Sequence, residues 1–576
     1  MKTEMIKVKL FRKVLSVLLC LCLITIPLSV GISASDITEL TFLYIDKGNI
    51  IIGDGYVSGY GAYGETIDEY NPAGYCITMT DSDVSTSNTI EVEGGENYIL
   101  LKDVNIAPGY FYAGLMIYNE STVDLFFTGE NTFKSESGGG IEIYSDSTLI
   151  IGGDGTLSAQ SNSQAGIGGN GGDAGTIIIN SGTITATSKS ESAGIGGGSS
   201  GSGGNITING GNIYSKGGTY AAGIGGGNGS SGGNVTINGG TVTAIGGANA
   251  AGIGGGWYGA MGTVEINGGS VYAVGADGNQ YIGAGQGKAA EYPVNSQNER
   301  VYPVTFNLSA AQSDRMLVNG KEMNICGSHR GASGLYVYVS SGKSTAAVKT
   351  PDEFPSLFSI NVNENGNAAV SKLNNPVGKN GAEIGSDDVL RGITCALTSV
   401  DDYIEMPDGY TLSCDNSIVG TGTLITLSYN GKPVYYYRAL VYGDLNNDGM
   451  YDGEDSFIVL LMLWEMLNKD NTDPILFEAA DADNDGEVTQ EDMEILQRAG
   501  LLLSSITHDG IVDTDSAQFS EYISMVDCRS AQAPAAEVNY ETDEQTSVFL
   551  SFVKNLIIFI ENVVKILIQV DSFWNI

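Results

Sequence analysis

Residues 193–256 read AGIGGGSSGSGGNITINGGNIYSKGGTYAAGIGGGNGSSGGNVTINGGTVTAIGGANAAGIGGG, a phrase that restates itself along the chain. Ile167, Ile195, Ile224, Ile253 and Ile282 each sit in a Gly-Ile-Gly or closely similar setting, at spacings of 28, 29, 29 and 29 residues. Self-similarity at one period marks a stacked architecture in which each unit touches only its neighbours. Each period holds two alternating β-branched runs, such as Asn234-Val235-Thr236-Ile237 and Thr241-Val242-Thr243-Ala244, separated by Asn-Gly-Gly. These read as strands. Alternation puts Ile206, Ile208, Val235, Ile237, Val264 and Ile266 on one face, with Thr207, Thr236 and Glu265 outward. Stacking equivalent strands about 4.8 Å apart buries the aliphatic column and pairs the backbone along the axis, which predicts a parallel β-helix. Asn180, Asn209, Asn238 and Asn267 recur before small pairs such as Gly210-Gly211. They read as corner residues, where Asn and Gly tolerate positive φ and stacked Asn side chains can hydrogen-bond along the ladder.

Working outward, Ser121-Thr122-Val123-Asp124-Leu125 and Ser147-Thr148-Leu149-Ile150-Ile151 look like the strand before Asn180, two turns and one turn earlier. The solenoid is therefore expected from about Thr38 to about Gly287, within a domain of residues 35–298, and its irregular first coils should cap the open end. The Ala-Gly-Ile-Gly-Gly-Gly repeats, preceded by Thr-Ile-Glu-Val-Glu-Gly-Gly at 89–95, resemble the β-helical carbohydrate-binding modules of secreted Gram-positive bacterial proteins. The resemblance implies a right-handed parallel β-helix related to polysaccharide lyases, with a role in binding polysaccharide. Similar repeats also occur in surface adhesins.

Catalysis on such a scaffold needs acids and a base gathered from neighbouring coils. From Ala165 to Ala290 the only cations are Lys189, Lys216 and Lys288 and the only acids are Asp173, Glu191, Glu265 and Asp277, none repeating at 29 residues. The sole charged grouping of note, Asp124, Glu130, Lys134 and Glu136, reads as a coil edge, and His329 and His508 read as ordinary surface residues. Sugar binding asks for exposed rings beside polar groups. Tyr214 and Tyr272 share one outward strand position two coils apart, with Thr243 between them, and Trp257 and Tyr258 interrupt a small, polar corner. Tyr110, Phe111 and Tyr112 form a further cluster on an expected loop.

The ends of the chain address it. Lys7, Lys9, Arg12 and Lys13 precede an apolar run from Val14 to Val30 and the small residues Gly31, Ser33 and Ala34, so residues 1–34 read as a secretory signal peptide. Cys20 and Cys22 fall within it, and the remaining five cysteines are scattered, with Cys395 and Cys414 alone near enough in sequence for a local bridge. A net charge of −40, from 27 basic against 67 acidic residues, excludes a phosphate-binding surface and hence nucleic acid as a partner.

After the solenoid, alternating segments such as Val301–Phe306 and Leu335–Val339 predict a small β-sandwich-like domain at 299–380 and a small β module at 381–442, both read as spacers. Next, Asp444, Asn446, Asp448, the carbonyl of Met450, Asp452 and Asp455 supply oxygen ligands at loop positions 1, 3, 5, 7, 9 and 12. A second copy follows with Asp481, Asp483, Asp485, the carbonyl of Glu487, Thr489 and Asp492, predicting two Ca²⁺ ions. Gly449 and Gly486 permit the sharp turn at position 6. An EF-hand would have an incoming helix and Glu at position 12. Here a strand leads in, Asp fills that position, and a helix follows each loop, at Ser456–Leu467 and Gln490–Leu503. Residues 443–505 thus resemble a type I dockerin. The resemblance implies a cohesin partner, read by Gly453-Glu454, Gln490-Glu491 and Gln497-Arg498, which depart from the residue types usual in that family. Met462, Leu463 and Trp464 stand where the first helix would carry its basic pair. Residues 506–546 are acidic and aperiodic and read as a disordered linker, and 547–576 read as an amphipathic helix for membrane or protein contact, with Lys554, Glu561 and Lys565 on one face.

The expected molecule is mainly β: a right-handed parallel β-helix, two small β domains, a small all-α calcium-binding dockerin and a C-terminal amphipathic helix. Its expected role is a secreted, non-catalytic component that docks on a cohesin scaffold and presents the solenoid to polysaccharide. The alternatives are an adhesin or structural spacer, and a β-helix polysaccharide lyase.

Overall fold

In a computed structural model of the chain, described residues run from 40 to 513, less 276–281, 290, 307–314, 324, 326, 327, 331, 333, 351, 352, 394–398, 417, 451, 452, 470, 471, 501–503, 508 and 509. The expected signal peptide, most of the acidic linker, the C-terminal helix and Cys326, Cys395, Cys528 and His508 lie outside the described residues. The chain divides into two units, 1–450 and 451–576.

The first unit opens with a parallel β-solenoid. Its three sheets hold 9, 7 and 11 strands, and equivalent strands of successive coils are neighbours throughout. One coil comprises Asn234–Ile237 in the first sheet, Thr241–Ile245 in the second and Ile253–Gly254 in the third. The 29-residue period appears directly in the register: Ile206 pairs with Val235 and Val235 with Val264, while Ile224 pairs with Ile253 and Ile253 with Ile282. Ile206, Ile208, Val235, Ile237, Val264 and Ile266 are all buried in one continuous core, and Thr207, Thr236 and Glu265 face out. Strands Thr122–Thr128 and Thr148–Gly153 take their places two turns and one turn before Thr176–Ile179, as the irregular repeats predict.

Two features go beyond the alternation. Each period holds three strands rather than two, because the Gly-Ile-Gly steps form a third sheet of two-residue strands. So short a run cannot alternate, which is why periodicity alone passes over it. The Asn column is bonded as expected: Asn209 donates to Asn180 at 2.9 Å, Asn238 to Asn209 at 2.9 Å and Asn267 to Asn238 at 3.0 Å. A second rung, from Asn234 to Asn205 at 2.8 Å, joins the starts of two strands. At the corner itself Gly211, Gly240 and Gly269 hold φ of 88°, 85° and 79°, a left-handed backbone that side chains rarely adopt.

Both ends of the solenoid are closed. At the start, Ile50–Gly53, Tyr56–Tyr60 and Thr66–Ile67 pair antiparallel at the edge of the third sheet. At the other end Val294 bridges to Glu265, and Ser296 N donates to Asn267 Oδ1 at 2.8 Å, so the Asn ladder ends on a backbone donor. The next domain sets the pair Val301–Phe306 and Leu335–Ser340 over a five-stranded antiparallel sheet, with Val304, Val337, Met316, Val348 and Ile360 between them. A second five-stranded sheet follows, built on Lys432–Ala439 at its centre. Its core takes in Leu317, Ala347 and Leu357 of the preceding domain, and buried Lys349 donates to the carbonyl of Ser386. The two β domains therefore share a core rather than forming independent spacers.

In the second unit α1 (Gly453–Leu463), α2 (Pro474–Ala480) and α3 (Gln490–Gly500) enclose Val459, Met462, Ile475, Ala479, Ile495, Leu496 and Ala499. Helix α2, capped by the Asp473 side chain accepting from Ile475 N at 3.1 Å, is absent from the sequence reading, because Pro474 opens only a seven-residue run. After α3, Ser504–Thr507 and Gly510–Asp513 pair as an antiparallel hairpin within the stretch expected to be linker.

Candidate calcium centre and solenoid surface

The second acidic loop begins where α2 ends, at Asp481, and closes on the first turn of α3 with Asp492. Ligand-type oxygens of Asp481, Asp483 and Asp485 lie within 4.8 Å of one another. Like charges gather this closely because the backbone holds them. Asp481 Oδ1 accepts from Asp485 N at 3.0 Å and Oδ2 from Gly486 N at 2.8 Å, while Asp483 accepts from Asp485 N and Asp485 from Glu487 N. Fully buried Asp492 accepts from Ala482 N and Asp483 N on one oxygen and from Thr489 N and Thr489 Oγ1 on the other. Desolvation, then the charge of Asp492, raises the Asp483 carboxyl above the ordinary range. The turn places Gly486 at φ 92° and its counterpart Gly449 at φ 76°.

The first loop repeats the bonding. Gly449 N donates to Asp444 Oδ2 at 3.0 Å, Asp448 N to Asn446 Oδ1 at 3.0 Å and Met450 N to Asp448 Oδ1 at 2.8 Å. The unit boundary falls within this loop, with Asp444, Asn446, Asp448 and Met450 before it and buried Asp455 on α1 after it. Asp452 lies outside the described residues. Asp444 is fully buried, and its Oδ1 has no hydrogen-bond partner. Burial pushes its carboxyl up to about 7, with Asp448 adding to the rise. A buried carboxylate oxygen without a donor is costly unless a cation meets it. Hard oxygen donors fit calcium, and the residues of this unit that would hold it are Asp444, Asn446, Asp448 and the carbonyl of Met450.

Of the residues expected to read a partner, Gly453, Glu454, Gln490, Glu491 and Gln497 are exposed, and Arg498 lies on α3. The two helices differ in character. Helix α1 buries Val459 and Met462, yet Phe457, Leu460 and Leu461 are half-exposed and Trp464, just after its end, is 47% exposed. Helix α3 presents Gln490, Glu491, Glu494 and Gln497.

On the solenoid, the structure corrects the candidate sugar platform. Tyr214, Thr243 and Tyr272 do share one column. That column is roofed by the following domain: Arg330 sits 4.5 Å over the Tyr214 ring, His329 Nδ1 meets Thr243 Oγ1 at 3.0 Å, and Tyr272 packs 4.7 Å from Tyr336. His329 is 5% exposed rather than a surface residue, and its Nε2 meets Ser270 Oγ at 2.8 Å. Burial lowers it to about 4. Trp257 makes tilted ring contacts with Tyr220 and Tyr258, at 4.7 and 4.6 Å between centroids, and is partly buried. Tyr258 is 54% exposed. Tyr220, which the sequence reading missed, stands in the corner position 29 residues before Asn249, and both have positive φ. Other exposed rings lie on earlier coils: Phe42 (45%), Tyr98 (51%) and the cluster Tyr110, Phe111 and Tyr112.

The charged groups serve the fold. Asp124 lies on the first sheet while Glu130 and Lys134 lie on the second, so they do not converge. Asp173 accepts from Ser202 N of the next coil and Glu265 from Asn267. Buried Glu142, raised by desolvation, accepts from Gly139 N and Asn170 Nδ2 across a corner.

Comparison with known families agrees with this geometry. Residues 442–499 match the dockerin type I domain, and residues 177–199, 206–228 and 235–257 match the beta helix repeat. Comparisons with curated proteins and with solved structures find no match. Dockerin type I domains bind calcium and imply a cohesin partner.

Proposed function

We propose that this chain, which carries a dockerin type I domain behind a β-solenoid, is a secreted, non-catalytic component of a cellulosome-like assembly. It is anchored through two calcium ions to a cohesin and holds the solenoid against polysaccharide. The observation that carries the anchor is the duplicated loop, in which backbone donors hold the carboxylate of Asp444 in one copy and of Asp481 in the other. Calcium fixes the loops, and the loops fix the helices that meet the partner. The half-exposed face of Phe457, Leu460, Leu461 and Trp464 supplies apolar area there, and Gln490, Glu491 and Gln497 supply polar contacts on the other helix. Along the regular coils, the engagement of Asp173 with Ser202 N and of Glu265 with Asn267 favours binding over lyase or hydrolase chemistry.

A second reading, a rigid adhesin or spacer, is favoured by the covering of the Tyr214–Tyr272 column, which leaves Tyr258 and the rings of the earlier coils for stacking. Capture of the full chain on immobilised cohesins, with calcium and then with chelator, tests the anchor. Chelator-reversible capture supports it, and calcium-independent or absent capture on every cohesin class contradicts it. Sedimentation with insoluble glycans separates polysaccharide binder from spacer, and release of unsaturated uronides would show a lyase.

A further inference from the structure

The two acidic loops share the bond from the position-6 amide to the first aspartate and differ in what else that aspartate meets. In the second loop both oxygens of the first aspartate are satisfied from within: Asp481 Oδ1 by Asp485 N and Oδ2 by Gly486 N. In the first loop Asp444 Oδ2 takes Gly449 N and, in addition, Thr421 N at 3.1 Å, from a turn of the preceding β module 23 residues upstream. The same turn reaches the loop again through Thr423 Oγ1, which donates to Asn447 Oδ1 at 2.9 Å. Asn447 holds the left-handed bend of the loop at φ 61°, as Asn484 does at φ 60° in the second copy, where that residue is exposed.

The turn is itself anchored. Thr421 is 2% exposed, its hydroxyl donates to Val441 O at 2.8 Å, and Val441 N donates back to it at 3.0 Å. Thr423 is fully buried and accepts from Gly420 N at 2.9 Å. Gly420 packs so closely that a methyl group there would run into Asp444 Oδ2 and Asn447 Oδ1. Central-sheet residues Tyr435, Tyr437 and Ala439 lie beneath in the module core.

We propose that Thr421 and Thr423 are positioning residues for calcium. The β module of residues 381–442 pre-organises the first loop, so that loop one takes its ion with the module's help, whereas loop two organises itself. Fixing a carboxylate before the cation arrives removes part of the ordering cost of binding. Linkage makes the effect mutual, so an ion in loop one stabilises the turn at 420–423 by the same factor. This inference rests on the calcium reading above.

The test uses the full chain in two backgrounds: Asp483→Ala with Asp485→Ala, which silences loop two, and Asn446→Ala with Asp448→Ala, which silences loop one. Calorimetric calcium titration should show Thr423→Val and Gly420→Ala weakening the loop-one background by roughly three- to tenfold, about the worth of one hydrogen bond. The loop-two background should be unmoved, and Thr423→Ser, which keeps the hydroxyl, should restore the affinity. Hydrogen exchange on the unmutated chain reads the reciprocal effect without any risk to folding: calcium should slow exchange of the Thr421 amide by a similar or larger factor. Equal calcium affinities in all loop-one variants, or an unchanged Thr421 amide, would overturn the coupling while leaving the calcium anchor standing. No calcium uptake by the unmutated chain would overturn the anchor itself, and the coupling with it.

Discussion

The solenoid and the calcium loops solve opposite problems. In the solenoid nothing is unique: each aliphatic side chain stacks on an equivalent one a coil away, and Asn209 bonds to the residues at its own position above and below. Stability is spread along the axis, and a single injury is shared between two neighbours. In the loops nothing is redundant. Asp444, Asp481 and Asp492 each gather several donors around one point, and without a cation the gathered charge works against the fold. Repetition therefore tolerates damage that a ligand shell does not.

The largest test of this contrast is chelation. Removing calcium should abolish the tertiary packing of α1 to α3 while leaving the strand signal of the solenoid in place, as read by near- and far-ultraviolet circular dichroism. A solenoid that melted with the loops would erase the distinction. Within the second loop, Asp492→Ala strands the donors Ala482 N, Asp483 N and Thr489 N and removes a ligand, so calcium affinity at that loop should fall at least about 100-fold by calorimetry. The counterpart in the solenoid is Ile237→Ala, a fully buried residue, for which denaturant melts should show a loss of about 2–5 kcal/mol with calcium affinity unchanged.

A further effect lies where the solenoid meets the β domain that follows it. Buried His329 seals the solenoid end, bonded to Thr243 and Ser270, stacked near Tyr272 and Tyr336, and adjacent in sequence to Arg330. Its value is lowered from 6.5 to about 4, so the folded junction holds the neutral ring while the unfolded chain takes up a proton in that window. The stabilisation is present above about pH 6.5 and is lost as pH falls towards about 4, by up to about 3 kcal/mol. Denaturant midpoints measured across that range should fall for the native protein and stay nearer to level for His329→Gln. The smallest effect belongs to the ladder itself: Asn209→Ala removes two exposed rungs and should cost about 1 kcal/mol or less in the same assay.

The pattern of what was legible follows the same division. Alternation exposed the buried faces of Asn205–Ile208 and Asn234–Ile237, and the 29-residue period gave their register, because both are local or strictly repeated properties. The dockerin motif was legible for a similar reason, since each of its loops lies on one continuous stretch. The third sheet was hidden by its two-residue strands. What the sequence could not show were contacts between distant segments that carry no period: Arg330 over Tyr214, His329 on Ser270, the shared core of Leu317 with the second β sheet, and Thr421 on Asp444. Tyr214 and Tyr272 are covered by such contacts, and Tyr220 was overlooked because its partner Trp257 stands 37 residues away.

The central claim, a calcium-set anchor, is tested most directly by calorimetric titration of the full chain with calcium, followed on the same sample by capture on a panel of immobilised cohesins with and without chelator. Uptake of two ions and capture that chelator reverses are the expected results. Absence of calcium uptake, or capture indifferent to chelator, would contradict the claim.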